Sequence, residues 1–126
     1  MMKILLTLGC VLGMMGCLDR PSEPSDENAA KALEVLLRSP ASYAKEREAC
    51  KLLLKSATPI MSAFIASELV DAWMRKGTAP ARFSEGLTPS DYKHSSQAVR
   101  MRIRDKGFEA GKSIHKSCKT MKSFYA

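Results

Sequence analysis

Glycine and proline are not enriched in this sequence, seven and six of 126 residues, which excludes a collagen-like or low-complexity chain. Histidine occurs twice and tryptophan once. No stretch reaches the roughly 20 consecutive apolar residues that a membrane-spanning helix needs. Signatures of catalysis are missing as well. There is no Gly-x-Ser-x-Gly elbow. Gly111-Lys112-Ser113 resembles the tail of a phosphate loop, but position 106, where the first glycine belongs, is Lys106, and Gly107 comes one residue late. His115 and Cys118 stand three apart, and His94 and Cys50 could complete a set of four zinc ligands, but no paired-ligand spacing supports a metal site. His115 is expected instead as a surface imidazole among Lys112, Lys116 and Lys119. Glu68 and Asp71, also three apart, have no partner base and read as a solvated helix face. The chain is therefore expected to be no enzyme, with no cofactor, no metal and no small-molecule substrate. What is present is 45% hydrophobic residues and an excess of base, 20 Lys plus Arg against 13 Asp plus Glu. One domain with one modest core fits this length.

The first residues read as an address. Lys3 is followed by an uncharged apolar stretch from Ile4 to Gly16, thirteen residues, the size of a secretory h-region. Met14-Met15-Gly16-Cys17 resembles the lipobox of bacterial lipoproteins, with Met14 and Met15 where Leu and a small residue are usual. The resemblance implies cleavage before Cys17 and lipidation of its thiol. Leu8-Gly9-Cys10 is a competing site with a shorter apolar lead. Leu18 after the cysteine points to the outer membrane by the sorting rule of Gram-negative lipoproteins. Residues 1–16 are thus expected as signal peptide and 17–25 as lipidated cysteine and linker. Residues 26–126 would form a single small helical domain, anchored in the cell or outer membrane and facing the periplasm or exterior.

With Cys10 removed and Cys17 lipidated, Cys50 and Cys118 remain. In a compartment outside the cytosol an even remainder invites a disulfide, the alternative being two buried thiols. The charge is uneven, since residues 91–126 carry nine basic and three acidic side chains. Arg100, Arg102, Arg104, Lys106, Lys112, Lys116 and Lys119 form a candidate surface for a polyanion or protein partner, or else a solvated helix face. Nucleic acid, with Tyr92 or Phe108 to stack on bases, is disfavoured by the export signal.

The pattern predicts an all-α bundle of about four helices behind a proline-bearing tether, stapled by the disulfide if it forms. Ser25 caps a first helix bearing Ala29, Ala30, Leu33, Leu36 and Leu37, which ends before Pro40. Ser39-Pro40 starts a second, with Tyr43, Ala49, Cys50, Leu53, Leu54 and Ala57 inward. Thr58-Pro59 starts a third, the expected centre, which stops at Gly77. Its inward face is assigned to Met61, Phe64, Ile65, Leu69, Ala72 and Trp73, with Ser62 and Ser67 off it. Residues 77–96 read as a loop anchored by Phe83, Leu87 and Tyr92, with a helical turn beginning at Thr88-Pro89-Ser90-Asp91. In the last segment Val99 to Arg104 alternates like a strand. Val99, Ile103, Ala110, Ile114, Cys118 and Met121 also make a helical stripe with Gly107 and Gly111, and helix is preferred because a lone strand has no partner. Tyr43, Cys50 and Leu54 would face Ile114 and Cys118.

Leu36, Leu37, Pro40 and Cys50, within the stretch from Leu36 to Lys51, are similar in spacing to the entry-exclusion lipoproteins of conjugative elements. That resemblance implies a membrane-anchored factor that hinders redundant DNA transfer by contacting the transfer apparatus. The expected function is an interaction module of the cell envelope, held to the membrane through lipid on Cys17. The alternatives are an accessory or assembly lipoprotein of a secretion machine, or a small inhibitor of an envelope hydrolase with the 77–96 loop as its plug.

Overall fold

Two glycines set how the helices meet. In the computed structural model, which describes residues 26–38 and 43–125, helix α3 (Pro59–Lys76) and helix α6 (Gln97–Tyr125) make the most extensive pairing. They run antiparallel. Gly111 lies over Ser62, Ala63 and Ala66, and Gly107 lies over Ala66, Ser67 and Val70. A Cβ on Gly111 would stand 2.6 Å from the Ser62 carbonyl oxygen and 2.9 Å from the Ala63 Cα, so only glycine admits this approach. The face of α3 that meets α6 must then be small, and Ser62, Ala63, Ala66, Ser67 and Val70 are all buried. This corrects the expected inward face. Phe64 is 58% exposed, because its ring is too large for the glycine seam, while Ser62 and Ser67 are inside.

The other elements close around that pair. Helix α1 (Asp26–Leu37) buries Ala29, Ala32, Leu33 and Leu37. Helix α2 (Tyr43–Ser56) contributes Ala49, Cys50 and Leu53, with Ala57 following it. The helix starts read at Ser25 and at Ser39-Pro40 lie outside the described residues, as do Cys17 and the leader. Thr58 begins α3 as expected: its side chain accepts from the Met61 N–H at 3.2 Å, and Pro59 occupies the first turn. Gly77, with φ 79°, ends it in the left-handed conformation that glycine adopts without strain. The last segment is one helix from Gln97 onward, so the alternation from Val99 to Arg104 is not a strand. Ile103 and Cys118 are fully inside, and Val99, Ala110, Ile114 and Met121 pack on the core. The architecture is thus an all-α bundle of four long helices and two short ones among the described residues.

Segment 77–96 is built rather than loose. It holds two short helices, α4 (Ala81–Ser84) and α5 (Pro89–Lys93). Thr88 and Asp91 cap α5 reciprocally, at 3.0 and 3.1 Å, and that backbone hydrogen bond holds the Asp91 carboxyl below its usual range. Arg82 donates to the Leu37 carbonyl at 2.7 Å, satisfying the end of α1 from 45 residues away. Phe83 and Tyr92 are buried.

Tyr92 corrects the reading of Asp71 as a solvated acid. The phenol is fully buried and donates to Asp71 Oδ1, while Arg75 Nε donates to Oδ2 at 3.0 Å. Burial alone would raise the Asp71 carboxyl. The bonds from Tyr92 and Arg75, with the charges of Arg75 and Arg104, outweigh it and hold the group below its ordinary value. Burial first, then the bond to Asp71, pushes the Tyr92 phenol up to about 12. A phenol raised from 10.0 to about 12 contributes stability that is whole below pH 10 and is lost as pH rises through its folded value. The depressed Asp71 contributes stability above its unfolded value that is lost as pH falls. Tyr92→Phe should therefore cost about 1 to 2 kcal/mol at neutral pH. It should also remove the late phenol from an ultraviolet alkaline titration. A titration still showing that late phenol in the variant would contradict the assignment.

Candidate functional site

Seven basic residues of helix α6 fall in three rows, spaced three or four apart so that the members of each share a face. Arg102 and Lys106 turn to Glu85: Arg102 Nη2 lies 2.7 Å from Oε1 and Lys106 Nζ 2.5 Å from Oε2. Hydrogen bonds from these two hold the Glu85 carboxyl at about 2. Glu85 reaches them from a left-handed backbone, φ 55°, at the end of α4. Arg100 and Arg104 form the second row. Arg100 donates to the Ser95 carbonyl, and Arg104 approaches Asp71 at 4.0 Å. Four of the seven basic residues proposed as one surface are thus engaged by the protein's own oxygens. The sequence could not reveal this, because Glu85 and Asp71 come from α4 and α3.

Lys112, Lys116 and Lys119 make the third row, at i, i+4 and i+7. All three are exposed, and none takes part in an ion pair among the described residues. The Phe108 ring begins the row: Lys112 Nζ stands 5.8 Å from its centroid, and Phe64 meets it edge-on at 5.2 Å. The antiparallel register sets Ile60, 51% exposed, one turn further along α3 toward the lysines. The result is an apolar strip of Ile60, Phe64 and Phe108 that Lys112 borders, with Lys116 and Lys119 continuing along α6. An amphipathic reading of α3 alone hides the strip, since Phe64 looks like a core residue until α6 is placed.

A second feature lies where α2 meets the end of α6. Cys50 and Cys118 stand at bonding distance as a disulfide, with Cα atoms 5.1 Å apart, closing a separation of 68 residues. Leu54 packs beside it, as expected from the stripe, and Met121 Sδ lies 4.0 Å from Cys50 Sγ. The side chain of Tyr43 lies outside the described residues. Beside the disulfide opens a groove of about 440 Å³, floored by Cys50, Leu54, Cys118 and Met121 and rimmed by Arg47, Lys51, Lys55 and Lys122. Neither half of this site was legible alone, because its rim combines residues of α2 with one from the end of α6.

His115 overturns an expectation. It is 2% exposed rather than a surface imidazole among lysines, and its Nε2 lies 3.0 Å from the Ala57 carbonyl. The helical stripe predicted only apolar neighbours inward, but Ala57 sits at the sharp corner between α2 and α3, where a carbonyl needs a donor. His115 supplies it and pins that corner. The zinc set considered above is dispersed: the two sulfurs bond each other, His115 serves Ala57, and exposed His94 bonds the Ser90 carbonyl at 2.9 Å. Among the described residues no three His, Cys, Asp or Glu gather as a metal site. No single helix among them is long and apolar enough to cross a membrane. Comparisons with protein-family models, with curated proteins and with solved structures find no match to the chain.

Proposed function

We propose that this protein is a lipid-anchored binding module of the cell envelope, which lies with its lysine row against an anionic lipid surface. The lipobox-like Met14-Met15-Gly16-Cys17 supports the anchor. The observation that carries the surface is the contrast on α6: Arg102, Arg104 and Lys106 face Glu85 and Asp71, while Lys112, Lys116 and Lys119 are exposed, with Lys112 at the Phe108 ring that meets exposed Phe64. Cations flanking an apolar strip suit a headgroup region, where the rings enter the boundary and the ammoniums meet phosphates. Each lysine near an anionic surface contributes about 1 kcal/mol. Acyl chains on Cys17, at about 0.8 kcal/mol per buried CH₂, would contribute far more. The lipid therefore holds the protein and the lysine row orients it.

Two measurements test the reading. Protein recovered from membranes should have the mass of residues 17–126 plus lipid, and Cys17→Ser should abolish that species. Recovery of an unlipidated chain that retains the leader would defeat the anchor. A chain beginning at Leu18, which keeps every helix from α1 to α6, should sediment with phosphatidylglycerol vesicles and not with phosphatidylcholine vesicles. The combined Lys112→Ala, Lys116→Ala and Lys119→Ala variant should lower that partition about a hundredfold, and added salt should weaken it. Arg102→Ala, which removes a partner of Glu85, should change it little. Equal losses from Arg102→Ala and from the lysine triple would defeat the orientation.

A further inference from the structure

We infer that the groove beside the Cys50–Cys118 disulfide binds one molecule of a single-chain anionic amphiphile, an alkyl chain ending in a carboxylate or phosphate. This site shares no residue with the lysine row. Its volume of about 440 Å³ falls within the range of small-molecule sites, roughly 300 to 1,000 Å³. Its floor is apolar: Leu54, Met121 and the disulfide present carbon and sulfur and no charge. Its rim is cationic: Arg47, Lys51 and Lys55 recur along α2 at i, i+4 and i+8, and Lys122 faces them from α6. No carboxylate lines the groove among the described residues. Lys51, Lys55 and Lys122 are exposed and enter no ion pair among those residues.

Those properties define the ligand. A neutral hydrocarbon would satisfy the floor and leave Lys51, Lys55 and Lys122 without a counterpart among the described residues. A free small anion would satisfy the rim and leave the floor wet. An alkyl chain with an anionic head meets both, its chain on Leu54 and Met121 and its oxygens among the lysines. The apolar lining is one patch of Cys50, Leu54, Cys118 and Met121, room for one chain rather than two. The groove is also fixed on both sides, since the disulfide joins its two walls, so a ligand enters a formed site and little order has to be gained on binding.

The test is calorimetric titration of the full chain carrying Cys17→Ser with dodecanoate and with dodecyl phosphate, each below its micelle concentration. The same chain with Leu54→Trp, which fills the groove, serves as the blank for the apolar leader. We expect one site per chain and binding that tightens about fourfold per added CH₂ from octanoate to dodecanoate, the equivalent of about 0.8 kcal/mol. Dodecyltrimethylammonium should bind at least tenfold more weakly. Lys51→Glu with Lys55→Glu, both at exposed positions, should weaken dodecanoate at least tenfold while the circular-dichroism melt stays unchanged. Lys93→Glu, outside the groove, should leave it unaltered. The Lys112, Lys116 and Lys119 triple should also leave it unaltered, so loss of vesicle binding and loss of amphiphile binding are read separately. Equal binding in the Leu54→Trp blank, indifference to head-group charge, or several equivalents bound per chain would each overturn the assignment.

Discussion

Gly111→Ala is expected to destabilise the bundle by about 1 to 3 kcal/mol, even though alanine is the better helix former by about 1 kcal/mol. The new methyl would meet the Ser62 carbonyl at 2.6 Å, the Ala66 Cβ at 2.7 Å and the Ala63 Cα at 2.9 Å. Two of those three are backbone atoms, which cannot swing aside. The helices would have to part, and the burial of Ala63, Ala66 and Val70 would loosen with them. Gly107→Ala should cost less. Its neighbours stand further off, a Val70 methyl at 2.9 Å, the Ala66 carbonyl oxygen at 3.0 Å and the Ser67 Cα at 3.1 Å. Ser113→Ala, at an exposed position of the same helix, should be neutral or gain a few tenths of a kcal/mol. Urea midpoints followed by circular dichroism would rank the three. A Gly111→Ala protein as stable as the parent would mean that the α3–α6 seam is wider than described.

Loss of the Cys50–Cys118 bridge should cost about 4 kcal/mol on the chain-entropy estimate for a closed loop of this length. A small domain has about 5 to 15 kcal/mol in total, so the reduced protein would be left near the edge of stability. The protein under reductant and a Cys50→Ala, Cys118→Ala double variant should melt together, well below the oxidised parent. Thiol labelling of the unreduced, unfolded domain should find neither Cys50 nor Cys118 reactive. Labelling of both, with a melt indifferent to reductant, would refute the bridge. The two effects should also add. Gly111 and Cys118 lie seven residues apart on α6, about 10 Å along its axis, and act on different neighbours, α3 and α2.

Much of the fold was legible because local signals agreed with one another. Thr58-Pro59 and Gly77 bracket α3 as read, and the stripe of Val99, Ile103, Ala110, Ile114, Cys118 and Met121 lies inward as a helix. Cys50 and Cys118 stand at bonding distance, the one of the two expected alternatives that parity favoured. Other features were illegible for a common reason. Whether Phe64 faces the core depends on the size of the gap to α6, which two glycines 40 or more residues away determine. His115 looked like a member of a basic surface because its neighbours in sequence are lysines, yet its partner is the Ala57 carbonyl, 58 residues away. Four of the seven basic residues looked free because the oxygens that engage them belong to other segments.

Periodicity, caps and composition act over one or two helical turns, and they determined that this chain forms helices, where α3 begins and ends, and that α6 carries the surplus charge. Which lysines stay outside any ion pair among the described residues, and that a cationic rim borders an apolar floor, were decided only by packing. Those outcomes depend on distances between helices, and an interhelical distance is set by the side chains of both partners at once.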